Sequence, residues 1–303
     1  MDAEVKRISP KSRLSWAAPW GPVDPREHFG RAGSKFAPPW PALALATGRT
    51  TIPYLRALKR RAGLATYTAV LMDPRTGAST ADLIWVPEHD KRQGPNVIRT
   101  IAAPHRYSPA RINELRAATP AAIAALPHPR IAVLIGGPNA VYPYSERDIE
   151  RLSAALIALA QSGAGLMVTP SRRTPEALLA RLRSVLAPAH ALLWDGTGQN
   201  PYPDFLANAD AFVVTADSVS MTCEAAATGR PIYVFEPEGG GGKFAKFHSA
   251  LRGHGATRPL PAALGTVENW TYVPLDSATI IAGEIERRWQ KRAAWIAQPD
   301  TRG

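Results

Sequence analysis

Cysteine is almost missing from this chain. Cys223 is the only one in 303 residues, so no intrachain disulfide can form and no multi-cysteine metal site exists. That usage fits a reducing, cytosolic setting. Long hydrophobic runs are missing too. The most apolar stretch, Leu152 to Val168, is broken by Gln161, Ser162 and two glycines, short of the roughly 18 residues a membrane span needs. The charged start, with Asp2, Glu4, Lys6 and Arg7, does not read as a signal peptide. Complete glycine fingerprints are also lacking. Gly196-Thr197-Gly198-Gln199-Asn200-Pro201 has no third glycine, which argues against a nicotinamide cofactor. Gly239 to Lys243 resembles a P-loop, but Pro237 stands where its first glycine belongs and Phe244 where a magnesium-binding Ser or Thr belongs.

What is present is a soluble-type composition with excess positive charge. Lys and Arg outnumber Asp and Glu by 36 to 25, a net +11 with pI near 10.1, which suits an anionic ligand or surface. The charge is scattered along helical segments such as Arg56-Ala57-Leu58-Lys59-Arg60-Arg61, where a solvated face is the plainer reading. Nucleic acid is therefore not expected as a partner.

From Arg130 onward, short apolar runs alternate with amphipathic helical patterns, as in a parallel sheet covered by helices. Ile131 to Ile135 reads as a buried strand ending in Gly136-Gly137, and Ser145 to Asp148 as the cap of a helix carrying Ile149, Leu152, Leu156 and Leu159. Further strands are expected at Gly165 to Thr169, Ala191 to Trp194, Ala211 to Thr215 and Ile232 to Phe235. A helix with proline at its first position should follow Thr174, another should surround Met221 to Thr228, and a third should run from Lys243 to Leu251. The N-terminal part shows the same grammar at lower contrast, with strands at Leu43 to Ala46, Thr66 to Leu71, Leu83 to Val86 and Val97 to Ile101. Its helices fall at Ile52 to Arg61 and Pro109 to Ala118. The expected organisation is an N-terminal lobe over 1–118, a linker over 119–129 and a second lobe over 130–276. A helix over 277–303 would cross back to the first lobe.

The segment Thr215 to Ile232 carries the most chemistry. A strand ends, small hydroxyl residues fill the turn, and a helix begins with its amide donors facing outward, which suits a phosphate. Ser218 and Ser220 lie in that turn, and Glu224 lies one and a half turns into the helix. Simple serine capping is the bland alternative. The segment resembles the nucleotide-sugar site of GT-B glycosyltransferases, in which such a glutamate accepts hydrogen bonds from ribose hydroxyls. Ser171-Arg172-Arg173-Thr174 follows the second strand of this half at a helix mouth, where two guanidiniums could neutralise a diphosphate. In the N-terminal lobe, Asp73-Pro74-Arg75, Glu88-His89-Asp90 and Pro104-His105-Arg106 each follow an expected strand. Glu88, His89, Asp90 and His105 are candidates for the base that deprotonates an acceptor hydroxyl, with loop salt bridges as the alternative. No metal site is expected, because their spacing matches no ligand pattern.

Taken together, Asp73-Pro74-Arg75, Trp85 to Asp90, Ala103 to Arg106, Gly136-Gly137-Pro138-Asn139, Thr169 to Thr174 and Thr215 to Glu224 resemble the mitochondrial fission "elongated mitochondria" family. Its bacterial members are uncharacterised and often labelled nucleoside-diphosphate-sugar epimerases. The resemblance implies an α/β fold of two Rossmann-like lobes of GT-B type, and in plant members a role in recruiting a dynamin-related fission protein. Nucleotide-sugar contacts are accordingly expected from Gly137, Asn139, Ser171, Arg172, Arg173, Ser218, Ser220 and Glu224. The expected activity is metal-independent glycosyl transfer from a nucleotide diphosphate sugar to an unknown acceptor, with no bound cofactor. An epimerase on the same ligand and a non-catalytic adaptor are the alternatives. A cytoplasmic protein, open to peripheral contact with the inner face of a membrane through its basic surface, fits this reading. Family members usually open with a strand and a glycine-rich loop before the segment matching Val5-Lys6-Arg7-Ile8. That segment reads as a short strand, and the N-terminal lobe is expected to lack its first strand.

Overall fold

The computed structural model describes residues 3–8 and 15–297. It divides into two compact units, one made of the residues up to Thr100 together with those from Thr279, the other of Ile101–Ala278.

The first unit is built on four parallel strands in the order β1-β2-β3-β4: β1 Leu43–Thr47, β2 Tyr67–Leu71, β3 Leu83–Pro87 and β4 Val97–Thr100. Between β1 and β2 lies α1, Ile52–Ala62. Its second residue is Pro53, whose missing amide costs nothing in a first turn. It ends at Gly63, whose φ of +54° lies in the left-handed region that glycine tolerates. Lys59, Arg60 and Arg61 fill its last turn, where positive charge complements the helix dipole. Ile52 and Leu55 pack on Val70, Ala81, Ile84 and Val86 of the sheet region. Asp82 ties helices to the sheet: Lys59 of α1 lies 3.0 Å from one carboxylate oxygen, and Arg292 of the long helix Ser277–Ala297 lies 3.3 Å from the other. Burial pushes the Asp82 carboxyl up, but the Thr68 amide, Lys59 and the Thr68 hydroxyl outweigh it, so its pKa is lowered overall. The same Arg292 covers the Tyr67 ring at 4.6 Å.

Val5 to Ile8 is not a strand. It has no regular structure and Val5 is 84% exposed. Alternating side chains without a neighbouring strand to bond leave nothing to hold it extended.

The second unit holds six parallel strands. In chain order, α2 Pro109–Ala117 and α3 Ala121–Ala124 precede β5 Arg130–Ile135 and α4 Glu146–Gln161. Then come β6 Gly165–Pro170, α5 Glu176–Leu186, β7 Ala191–Leu193, α6 Tyr202–Asn208, β8 Ala211–Thr215, α7 Val219–Ala226, β9 Ile232–Phe235, α8 Gly242–Gly253 and β10 Thr257–Pro259. Strands β5 and β8 are buried on both faces, as their unbroken apolar runs require. The start of α4 is a full capping box. Ser145 accepts from the Asp148 amide, and the Asp148 carboxylate accepts from the Ser145 amide.

Four details differ from the sequence reading. Pro175 is the N-cap of α5 rather than its first helical residue. The short helices α3 and α6 and the edge strand β10 were not anticipated, being too brief to show periodicity. Residues 119–129 do not form a free linker, because Ile123 and Leu126, with Ile112 of α2, are buried in the core of the second unit. The division accordingly falls at Thr100/Ile101, which moves His105 into the second unit.

Candidate functional site

The order of the second sheet fixes where a site can form. From β5 the chain winds outward through β6 and β7, then returns to the other side of β5 and winds outward again through β8, β9 and β10. The reversal lies between β5 and β8. Crossovers diverge there and leave a crevice at the carboxyl ends of the strands.

Three turns meet at those ends. After β5, the Gly136 amide donates to the Thr215 hydroxyl at 2.8 Å and the Gly137 amide donates to Asp217 Oδ2 at 2.8 Å. A β-carbon on Gly136 would lie 2.0 Å from that carboxylate, and one on Gly137 would lie 2.1 Å from the Arg173 carbonyl oxygen. Only glycine fits either position. After β6, the Ser171 hydroxyl donates to the Gly136 carbonyl at 2.8 Å and Thr174 Oγ1 to the same carbonyl at 2.5 Å. The Ser171 amide donates to Thr174 Oγ1 at 2.8 Å, closing the second turn on itself. After β8, Asp217 is buried, and its carboxylate accepts from Tyr144 Oη at 2.5 Å and from Arg173 Nη2 at 3.3 Å as well as from Gly137. One buried acid thus joins all three turns. Burial, then the Asp217 charge and hydrogen bond, push the Tyr144 hydroxyl far above its ordinary range, so it stays a donor.

At the third turn Ser218 occupies the N-cap of α7, but its side chain makes no capping hydrogen bond. The alternative of simple serine capping is thus not met at Ser218, whose ψ of 80° departs from the extended backbone of an ordinary N-cap. The Ser218 amide donates to the Thr215 carbonyl at 3.0 Å, and its carbonyl accepts from the Thr222 amide and hydroxyl. Among the described residues the amides of Val219, Ser220 and Met221 have no protein acceptor, so the positive end of the helix is open. Ser220 is exposed.

The two arginines divide. Arg173 is engaged by Asp217 and by the carbonyls of Gly137 and Pro138, both at 3.3 Å, which makes it a brace of the first turn. Arg172 is exposed and has no hydrogen-bonding partner among the described residues. Asn139 spends its side-chain oxygen inside its own turn, accepting from the Val141 and Tyr142 amides at 2.8 and 3.0 Å.

Glu224 is half-buried on α7, where the Tyr202 hydroxyl donates to its carboxylate. Burial pushes its pKa up, while the Tyr202 hydrogen bond and the charge of Arg106 offset only part of that rise. The Tyr202 ring lies 6.0 Å from Tyr107, which lies 6.3 Å from His105 and receives a hydrogen bond from Arg106 at 3.3 Å. His105 therefore belongs to the same unit as Glu224, linked to it through the Tyr107 and Tyr202 rings, whereas Glu88, His89 and Asp90 follow β3 in the first unit. Burial lowers the His105 pKa, which the Asp276 charge partly offsets. Asp217, Tyr144, Tyr202 and Tyr107 were not singled out from sequence, and Arg106 was named only as part of Pro104-His105-Arg106. The positive φ of Tyr144, +62°, is a property of the folded loop and leaves no sequence signal.

The class is thus an α/β protein of two parallel-sheet units, the second with a switch-point crevice. The chain belongs to the family described as Mitochondrial fission ELM1, which it matches over residues 1–289. It is 29% identical to the mitochondrial fission protein ELM1 of Arabidopsis thaliana over 276 residues, covering 83% of this chain and 65% of that protein. It is 32% identical to the uncharacterized protein RP120 of Rickettsia prowazekii over 162 residues, covering 51% of this chain and 45% of that one. The chain thus spans less than two thirds of the length of either relative. Among solved structures it is similar to Acinetobacter baumannii MurG, with 15% identity, a TM-score of 0.40, and coverage of 85% of this chain and 69% of that one. A likeness at that level says nothing about chemistry. No described helix is long and apolar enough to cross a membrane.

Proposed function

We propose that the second unit holds the nucleoside diphosphate of a sugar nucleotide and that the chain transfers the sugar to an acceptor on the first unit. The observation supporting this most is the meeting of three turns and an open helix start at the reversal between β5 and β8. Arg172 and the amides of Val219 to Met221 neutralise the departing diphosphate, a task that charged and oriented donors perform without a metal. The Gly137 and Ser171 turns and Arg173 hold that anion site in shape. Glu224, fixed in orientation by Tyr202, accepts from the ribose hydroxyls. Glu88, His89 and Asp90 are the candidates for deprotonating the acceptor. His105, whose pKa is lowered by burial, belongs to the second unit with Glu224 and fits a place at the nucleotide better. The net charge of +11 suits an anionic acceptor or the headgroups of a membrane's inner face, with the protein working from the cytoplasm.

A second reading is favoured by the family itself, whose Arabidopsis member is named for mitochondrial fission. Here the fold would be kept and its surface used for a protein partner. Thermal shift of the full chain with a panel of nucleoside diphosphates separates the two, because a ligand that binds the native state raises its melting temperature. A shift that is lost in Arg172→Ala supports the nucleotide reading. No shift with any nucleotide leaves the adaptor. Incubating the stabilising nucleotide's sugar conjugate without acceptor then tells transfer from epimerisation, since only an epimerase inverts a sugar carbon under those conditions.

A further inference from the structure

The first unit carries a cavity of about 260 Å³ lined by Trp20, Gly21, Pro22, Val23, Pro53, Arg56 and Arg60. It is small beside the roughly 300 to 1,000 Å³ of sites for drug-sized ligands, and so too small for a whole sugar nucleotide. We propose that this cavity, with Arg56 and Arg60 beside Pro53 on the α1 wall and Trp20 and Pro22 on the other, binds a phosphomonoester carried on an apolar or aromatic body.

Positions 56 and 60 are four residues apart on α1, so both guanidiniums project from one face. Other basic residues of this segment are occupied. Lys59 faces Asp82 at 3.0 Å, Arg49 donates to the Ser15 carbonyl at 2.9 Å, and Arg61 donates to the Phe29 carbonyl and covers the Phe29 ring. Arg56 is half-buried, yet it has only a 3.4 Å contact to the Pro19 carbonyl and the Trp20 ring at 5.7 Å. Most of its five donors are therefore unused. Arg60 has no hydrogen-bonding or ionic partner among the described residues. No acidic residue occurs between positions 49 and 61. Asp24, the acid nearest in sequence to the cavity's other wall, is buried and accepts a fork from Arg26 at 3.0 and 2.6 Å. A partly desolvated cation without a counter-ion is costly, and an arriving anion removes that cost.

The apolar wall is built locally. The amides of Trp20 and Gly21 both donate to the Ala17 carbonyl, at 3.0 and 2.8 Å, and a β-carbon on Gly21 would lie 2.8 Å from that of Ala17. This tight turn presents the Trp20 indole, 64% exposed, next to Arg56. Two planar guanidinium forks match the two charges and three terminal oxygens of a monoester dianion better than the single charge of a diester. The indole and the prolines take the body attached to it.

The source of such a group is either a free small molecule or a lipid headgroup, and the test separates them. Phenyl phosphate, its methyl diester and inorganic phosphate are titrated calorimetrically into the full chain. In parallel the chain is co-sedimented with phosphatidylcholine vesicles containing either phosphatidic acid or phosphatidylglycerol. Arg60→Gln, at an exposed position, should keep the wild-type melting temperature while weakening phenyl phosphate by about tenfold, the loss of one charge-assisted pair. Arg181→Gln, the same charge change on the exposed face of α5, should have no effect. Phenyl phosphate should bind more tightly than inorganic phosphate or the diester. Arg60-dependent binding of soluble phenyl phosphate alone assigns a free ligand. Arg60-dependent sedimentation with phosphatidic acid, but not with phosphatidylglycerol, assigns a headgroup. Equal losses in Arg60→Gln and Arg181→Gln, equal affinity for monoester and diester, or no binding in either format would overturn the proposal.

Discussion

In the second unit the strands extend from β5 in both directions, whereas the four described strands of the first unit are added one after another from β1 to β4. Both sheets are parallel, and both carry charged residues in the loops after their strands. The consequences differ because only the reversal in the second sheet separates neighbouring crossovers and opens a crevice. Charge at a strand end is then not enough to mark a site. In the first unit, Asp73 is taken up by Arg92 at 2.7 Å and by the Arg75 amide at 2.9 Å, and so it braces its own loop. In the second, the comparable acid, Asp217, draws three separate turns together and leaves Arg172 and the start of α7 open.

The largest expected effect tests whether the crevice turns are as tightly packed as this contrast requires. Gly137→Ala would place its β-carbon 2.1 Å from the Arg173 carbonyl, a backbone atom that cannot swing aside. We expect a loss of at least about 3 kcal/mol, the upper range for overpacking. Gly33 of the first unit has φ +77° and open space around it, so Gly33→Ala should cost only the left-handed strain, about 1 to 2 kcal/mol. Urea unfolding midpoints measure both, and equal losses would show that the turn yields. Next in size is Asp217→Asn, which leaves Arg173 without its counter-ion and weakens the hydrogen bonds from Tyr144 and Gly137. Because Arg173 is half-exposed, the loss should be about 2 kcal/mol, below that of a fully buried pair. Nucleoside diphosphate affinity should fall with it, and an unchanged affinity would detach the Asp217 turn from the ligand.

The same contrast explains what could be read in advance. The strands of the second unit were legible because each is a short apolar run between turn residues, and Thr215 to Glu224 stood out as a strand, turn and helix in sequence. Asp217 lay inside that segment without standing out, since its partners Gly137, Tyr144 and Arg173 come from two distant loops and leave no periodic trace. The pairing of Tyr202 with Glu224 was hidden because α6 is only one or two turns long. His105 was assigned to the first lobe because the alanine- and proline-bearing stretch after it looked like a boundary. Burial of Ile112, Ile123 and Leu126, a tertiary fact, moved that boundary to Thr100.

A smaller effect should appear in how ligand binding depends on pH. The pKa of Glu224 is raised, with burial as the chief cause, so it takes up its proton at a higher pH than an ordinary glutamate. As pH falls through that raised value, the carboxylate that would accept from ribose is lost. The ratio of wild-type to Glu224→Gln affinity for a nucleoside diphosphate should therefore fall, while titration of the phosphate itself cancels in the ratio. At neutral pH the ratio should be about tenfold, one charge-assisted hydrogen bond. Tyr202→Phe removes a hydrogen bond that lowers this pKa and should move the fall to higher pH. A ratio that stays flat with pH would remove Glu224 from the ribose.

The smallest effect belongs to the first unit and has the opposite sign. The Asp82 pKa is lowered from 3.8, because the Thr68 amide, Lys59 and the Thr68 hydroxyl together outweigh the burial that raises it. A carboxyl whose folded pKa is depressed contributes stability above its unfolded pKa and loses it as pH falls through the folded value. The stability gap between wild type and Asp82→Asn should thus be constant near neutral pH and close only below about pH 3.8, the unfolded value. With its side chain 20% exposed and its two cations on separate helices, the ion-pair part of that gap should be about 1 kcal/mol or less. Glu176 provides the control: it pairs with Arg183 at 2.7 Å on α5, and with its side chain 74% exposed it is open to screening. Added salt should erase any effect of Glu176→Gln while leaving most of the Asp82 gap, because partly buried pairs are screened much less. If salt removes both alike, Asp82 is one more surface charge and the first unit is held by its small apolar core alone.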